Sequence, residues 1–509
     1  MDIIQTAVEG FAVVFEPQNL LFCLLGVTVG MLIGVLPGLG SAATISILLP
    51  ITYSVDPTTA VIMLAGIFYG AQYGGTITSV LLQLPGEASS VVTAIDGYKM
   101  ARQGRAGSAL GIAAIGSFAG GTVAILGLTV VAPLVAGFAL KFGPPEYTVL
   151  ALLGILLVAS LGNGSALKNA AAAALGLLLA TVGRDPLLGA NRFTFGSDQL
   201  ADGFDFVIIA MGLFGVGELL YNLEHRARPQ PAIPSFGRAL PTRADVKESR
   251  GAIARGSAIG FFLGVLPGGG AAMSSLVSYA VEKRTSKTPE RFGRGAIEGV
   301  AGPETANNAA ATSSFIPLLT LGVPANATMA VLFGALLLQG ITPGPLLMSE
   351  HPDVFWGVVN SMYIGNIFLL ILSIPLIGVF VKILKVRTDV LAGLTVLIAM
   401  VGVYTVRNNA FDMLVVVGFG VLGYLMKKLG FEPGPLVLAF VLGGLLETSF
   451  RQSMRMFGGD ATTFFTRPIS GVLLALVFLL VVVLPVVRAL RARRAGAPAD
   501  TADTVTVGR

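Results

Sequence analysis

A chain of 509 residues that is 54% hydrophobic and only 12% charged, with a mean hydropathy of +0.81, is not a soluble enzyme; soluble chains carry roughly 25% charged residues. The formal charge is +5, but the basic residues stand in short segments between apolar runs, as membrane orientation requires and nucleic-acid binding does not. One cysteine, Cys23, excludes an intrachain disulfide, and two histidines, His225 and His351, exclude a histidine-rich metal or haem centre.

The opening is acidic, with Asp2, Glu9 and Glu16. It lacks the positive start and small-residue cleavage site of a signal peptide, so the first apolar run is expected to be retained. A membrane-spanning helix takes about 20 apolar residues, and on that spacing the chain is predicted to be an all-α polytopic membrane protein with about 10–14 passes. They are expected near residues 19–36, 59–84, 107–140, 147–161, 166–182 and 205–223. After a polar gap they resume near 256–281, 306–347, 354–384, 389–405, 411–427, 433–447 and 468–487.

The gap, residues 224–255, holds Arg226, Arg228, Arg238, Arg243, Lys247, Arg250 and Arg255 with Pro229, Pro231 and Pro234. It reads as a cytoplasmic basic linker between a first transmembrane unit, residues 1–223, and a second, residues 256–487. Residues 488–509 start with Arg488, Arg491, Arg493 and Arg494 and then lose apolar periodicity, reading as a disordered cytoplasmic tail.

A repeat straddles the linker. Gly34-Val-Leu-Pro-Gly-Leu-Gly40 recurs as Gly264-Val-Leu-Pro-Gly-Gly-Gly270, 230 residues on; Leu84-Pro85 recurs loosely as Val323-Pro324, offset 239; Gly183-Arg-Asp-Pro186 resembles Gly430-Phe-Glu-Pro433, offset 247. The matches are collinear, and the seven-residue one carries the case. The first motif is flanked by Glu9, Glu16 and Asp56, the second by the linker arginines and by Lys283, Arg284, Lys287, Arg291 and Arg294. Opposite charge places them on opposite sides of the membrane, the pattern of two inverted-topology repeats in a secondary transporter.

In both repeats a Pro-Gly break splits an apolar run into pieces too short to span alone, so broken helices or re-entrant hairpins are predicted. The freed backbone at Gly38, Gly40, Gly268 and Gly270, with Pro85 and Pro324, is the candidate ion- and anion-binding element; the alternative is that these glycines only let helices pack closely. The densest polar cluster within apolar sequence supplies Asn307, Asn308, Thr312 and Ser313, then Asn326 and Thr328. Its first-repeat counterpart supplies Thr76, Thr78 and Ser79, with Gln72 and Gln83 beside them. Uncompensated amides and hydroxyls are costly in hydrocarbon, so these residues are expected to line one central substrate cavity or, alternatively, to hydrogen-bond between helices.

Glu87 and Glu304, at the edges of apolar segments, are functional candidates by default, although Glu87 equally suits the N-terminus of the following helix. Lys168 either snorkels to the interface or meets an anion. No catalytic pattern is present: there is no Walker loop, no His-Glu-x-x-His and no Gly-x-Ser-x-Gly. No catalytic residue, resident cofactor or metal is therefore expected. An intramembrane enzyme would need clustered acid and base groups, and none is found.

At these motifs the chain resembles the large transmembrane subunit of the tripartite tricarboxylate transporters, over nearly its whole length. The resemblance is carried by Gly34-Val-Leu-Pro-Gly-Leu-Gly40, Tyr69-Gly-Ala-Gln-Tyr-Gly-Gly75, Leu84-Pro-Gly-Glu87, Asp96-Gly-Tyr98, Gly302-Pro-Glu-Thr-Ala-Asn-Asn308 and Phe431-Glu-Pro433. It implies a permease of the bacterial inner membrane that imports a citrate-like di- or tricarboxylate by cation-coupled secondary transport, with sodium as the cation and an elevator-like movement. It also implies two partners, a small transmembrane subunit and a periplasmic solute-binding protein, besides the carboxylate substrate and membrane lipid. Ile77, Gln83 and the pair Ala325-Asn326 depart from the family's usual pattern. The competing expectation is a stand-alone secondary carrier for another small organic anion.

Overall fold

The computed structural model describes residues 3–36, 40–84, 86–161, 165–224, 240–373, 375–376, 393, 396–397, 399–404, 409–479 and 483. Among them the chain is helical apart from one small hairpin, which pairs Gly183 with Arg192 and Arg184 with Asn191. Seven helices are long and apolar enough to cross a membrane: Pro17–Gly34, Pro57–Leu82, Ala106–Ala139, Phe206–Glu224, Pro352–Ser373, Ala410–Lys428 and Pro433–Met456. Six shorter apolar helices, among them Ser41–Ser54, Ala166–Ala180 and Ala327–Leu338, stand between them.

Several predicted passes resolve differently for local reasons. The run at 107–140 is one helix of 34 residues, with Pro133 inside it. The run at 256–281 splits into Arg243–Val265 and Gly270–Thr285, because Pro267 removes a donor and Gly268 turns the chain with φ +80. The run at 306–347 divides into Glu298–Ser313, Phe315–Leu321 and Ala327–Leu338, with Gly322 ending the middle piece. Residues 243–255 are the first turns of a helix, because Thr242 and Asp245 form a capping box at its start. The tail 488–509, the linker residues 225–239, part of the expected pass at 389–405 and the sites Gly38 and Pro85 lie outside the described residues.

Two helix pairs form the inner framework, and both rest on small residues four apart, which fall on one helix face. The Pro17–Gly34 helix sets Gly26, Gly30 and Gly34 against Met63, Ile67 and Ala71 of Pro57–Leu82, so closely that a Cβ would overlap their carbonyl oxygens. The Arg243–Val265 helix sets Gly256, Gly260 and Gly264 in the same way against Gly302, Ala306 and Ala310 of Glu298–Ser313. In lipid, helices gain little from apolar burial against each other, and backbone approach of this kind takes over. Gly260→Leu is therefore expected to abolish monodisperse protein in solubilised membranes, since the new side chain meets Ala306 backbone and the Ala309 Cβ. Gly137→Leu, which meets open space, should leave the size-exclusion profile unchanged.

The hairpin is tied to the far end of Pro433–Met456. Arg451 reaches Asp185 at 2.8 Å, and Arg192 reaches Glu447 at 2.7 Å. The backbone N–H groups of Leu188 and Leu187, with Arg451, hold the Asp185 carboxyl down to about 2.

Candidate functional site

The two Pro-Gly breaks end in helices that pack crosswise. The Ser41–Leu48 helix, which follows the first break, lies against Ala327–Leu338, and Ser41 Oγ stands 3.2 Å from Thr328 Oγ1. The Gly270–Thr285 helix, which follows the second, lies against the short turn Ala88–Ser90. Gly268 N–H donates to the Ala325 carbonyl at 2.9 Å, and Asn326 Oδ1 accepts from Met329 N–H at 3.0 Å, capping its helix.

Between these elements lies a cavity of about 310 Å³, within the range of small-molecule sites. Of the residues predicted from sequence, Asn326, Thr328, Gly268 and Gly270 line it. Glu87 does so too, and its Oε1 accepts the Ser41 N–H at 2.6 Å, so the start of the first broken helix already holds a carboxylate. Gly40 is the N-cap of that helix, beside Glu87. Pro324 precedes Asn326 without lining the cavity.

Lining residues that the sequence reading did not name as sites are Ser41, Ser89 and Glu432, with Gln72 noted only as a neighbour. Ser41 directly follows the first Gly-rich motif, and that adjacency is the signal that could have found it. Among the described residues, no Lys, Arg or His lines the cavity. Positive potential comes instead from the first turn of Gly270–Thr285, where Gly270, Ala271 and Ala272 border the cavity and the leading N–H groups have no intrahelical acceptor.

The remaining predicted residues gather elsewhere. Thr76 donates to Glu304 Oε2 at 2.6 Å, and Asn308 Nδ2 donates to Ser117 Oγ at 2.7 Å and to the Glu304 carbonyl at 3.1 Å. Asn307 is fully buried beside Glu304, with neither amide atom in a well-formed hydrogen bond. Thr78 and Ser79 bond the Gly75 carbonyl, and Ser79 also bonds Ser90 at 2.8 Å. Ser313 faces the Gly260 and Ala310 carbonyls, and Thr312 is buried in the same helix. The structure thus separates the predicted set into a cavity group, a group of Thr76, Asn307 and Asn308 around Glu304, and Thr78, Ser79, Thr312 and Ser313 buried elsewhere in the same helices. Lys168 belongs to none of these: its Nζ donates to the Leu429 carbonyl at 2.6 Å, past the end of Ala410–Lys428, and lies 5.4 Å from the Phe431 ring centre.

Asp96 joins the two sequence halves next to this group. It is fully buried, and its Oδ1 accepts N–H bonds from Gly293, Gly295 and Ala296 at 2.7–2.9 Å, while Oδ2 accepts from Tyr279 Oη at 2.9 Å. The loop curls round the carboxylate because Gly293 and Gly295 take positive φ, +82 and +104. Sequence reading noticed Asp96 only within the Asp96-Gly-Tyr98 motif.

The model of the tripartite tricarboxylate transporter TctA family matches residues 20–438. The chain is 50% identical over 491 residues to an uncharacterized 52.8 kDa protein from the TAR-I ttuC' 3' region of Agrobacterium vitis, covering 96% of this chain and 98% of that protein. It is 52% identical over 232 residues to a second uncharacterized A. vitis protein, from the TAR-II ttuC' 3' region, covering 45% of this chain and 96% of that one. No solved structure matches. The family match over residues 20–438, the 50% identity along nearly the whole chain and the membrane-length helices lead to one assignment: the chain belongs to the tripartite tricarboxylate transporter TctA family and is a multi-pass, non-enzymatic subunit of such a transporter.

Proposed function

We propose that this subunit is the permease that imports a di- or tricarboxylate across the bacterial inner membrane, driven by a sodium gradient and supplied by a periplasmic solute-binding protein, with a small transmembrane subunit beside it. The observation that carries the reading is the crosswise meeting of the two broken helices at one cavity. Ser41 of the first faces Thr328 of the second half, and the Gly270–Thr285 helix of the second lies against the Ala88–Ser90 turn of the first half. Two inverted-topology repeats related by an axis in the membrane plane would bring equivalent elements together in this way. The matched glycine stripes, Gly26-Gly30-Gly34 and Gly256-Gly260-Gly264, support the same reading, since they recur at the offset of the seven-residue motif.

With Glu87 and Glu432 in its wall, the cavity takes an anion of this class together with a cation, the anion at the helix start and the neutral donors. One carboxylate group of the substrate docks on the first turn of Gly270–Thr285, with Asn326 and Thr328 as neutral donors. The remaining charge needs a co-transported cation, because Glu87 and Glu432 share the wall and no basic side chain among the described residues does.

Proteoliposomes holding this chain and the small subunit test the proposal. Radiolabelled di- or tricarboxylate should accumulate only with the binding protein outside and an inward sodium gradient. Full-rate uptake without the binding protein would favour a stand-alone carrier for another organic anion, and uptake indifferent to collapsed sodium and proton gradients would overturn the coupling.

A further inference from the structure

We propose that Glu304 is the seat of a dehydrated sodium ion, held inside the bundle and apart from the 310 Å³ cavity. The assignment gives the proposed cation coupling a location, and only its part in transport rests on that reading. Glu304 is completely buried, and no Lys, Arg or His among the described residues pairs with it. A lone carboxylate at such a position needs a compensating positive charge.

The groups around it are oxygen donors suited to a hard cation. Thr76 Oγ1 bonds Oε2 at 2.6 Å and Thr93 Oγ1 bonds Oε1; a hydroxyl that donates to a carboxylate still has lone pairs to offer. Asn307, one helical turn along, is fully buried beside Glu304, with neither amide atom in a well-formed hydrogen bond. A void of about 20 Å³ adjoins the group on the Thr76 side only, lined by Tyr73, Ser117 and Ser373 with the apolar Ile77, Leu110, Ala113 and Ala114. It offers room for a water-sized body next to Thr76, while Glu304, Thr93 and Asn307 stand outside its lining. A proton would need a single acceptor; two hydroxyls and an unspent amide oxygen around one carboxylate suit a coordinated ion.

The site is also wired to the cavity. Thr76 and Thr93 each stand four residues from cavity-lining groups, Gln72 and Ser89, which bond each other at 2.7 Å. A cation drawn between the two threonines would therefore bear on both elements that wall the substrate site.

The test uses the full-length chain purified in nanodiscs without any carboxylate, its thermal unfolding followed as sodium chloride replaces choline chloride at constant ionic strength. The unfolding midpoint should rise saturably with sodium and not with potassium, as expected of an ion that binds only the folded state. Glu304→Gln should remove the response. Asn307→Ala and Thr93→Val should raise the half-saturating sodium concentration at least tenfold while remaining monodisperse, and they decide the matter where Glu304→Gln does not fold. A wild-type midpoint that ignores sodium, an undiminished response in Glu304→Gln, or unshifted half-saturation in both milder variants overturns the proposal. A midpoint that follows pH in choline alone would assign Glu304 to a proton instead and overturn sodium. A sodium response in a protein that moves no carboxylate would keep the ion site and defeat the transport reading.

Discussion

Asp96→Ala is expected to leave almost no folded protein in the membrane. The substitution strips the acceptor from three backbone N–H groups, of Gly293, Gly295 and Ala296, and from the Tyr279 hydroxyl, with Gly295 and Ala296 fully buried. A buried donor left without a partner costs about 1–3 kcal/mol, so the loss sums to about 4 kcal/mol or more, against a total stability of about 5–15 kcal/mol for a typical domain. The damage is not local, because this carboxylate ties the Thr93–Arg102 helix to the loop that launches Glu298–Ser313. Asp96→Asn retains an oxygen for the three N–H groups and presents an amide to Tyr279, whose hydroxyl accepts as well as donates. Its melting midpoint should fall much less. Equal loss in the two variants, measured by fluorescence-detected size exclusion across a temperature ramp, would show that charge and not acceptor count holds the loop.

Ala272→Asp is expected to stop substrate uptake by at least about a hundredfold while leaving the fold as stable as before. Ala272 stands in the first turn of Gly270–Thr285 and borders the cavity. An aspartate there is favoured by the helix dipole, and the same field is what the substrate carboxylate is proposed to use. Two unit negative charges 4–5 Å apart at an effective dielectric of 20 repel by about 3–4 kcal/mol, two to three factors of ten in affinity. Ala272→Asn adds similar volume without charge and should lose far less. Uptake that survives Ala272→Asp, in protein with an unchanged melting midpoint, would move the anion site away from this helix start.

The two variants bear on different parts of what sequence made legible. The helix-start site was visible because Pro267 and Gly268 interrupt an apolar run, and a break of that kind is a local property of the chain. Asn326 and Thr328 follow a second such break and line the cavity. Asn308 and Thr76 read identically on paper, as polar residues on apolar helices, yet they turn inward onto Glu304 and Ser117. Helical spacing states which residues share a face and leaves open what that face meets. Asp96 shows the same limit more sharply, since its partners lie about 200 residues away in a loop with no apolar periodicity.

Membrane class, helical architecture, the places where helices break and the family were settled by composition, run length and short motifs, because each depends on neighbours along the chain. The partners of polar groups were settled by packing. Thr76 and Glu304 are 228 residues apart, and they meet where the Pro57–Leu82 helix packs against Glu298–Ser313. A buried carboxylate takes whatever donors the assembled bundle brings within reach, so the division between the 310 Å³ cavity and the buried group at Glu304 exists only once those helices are packed.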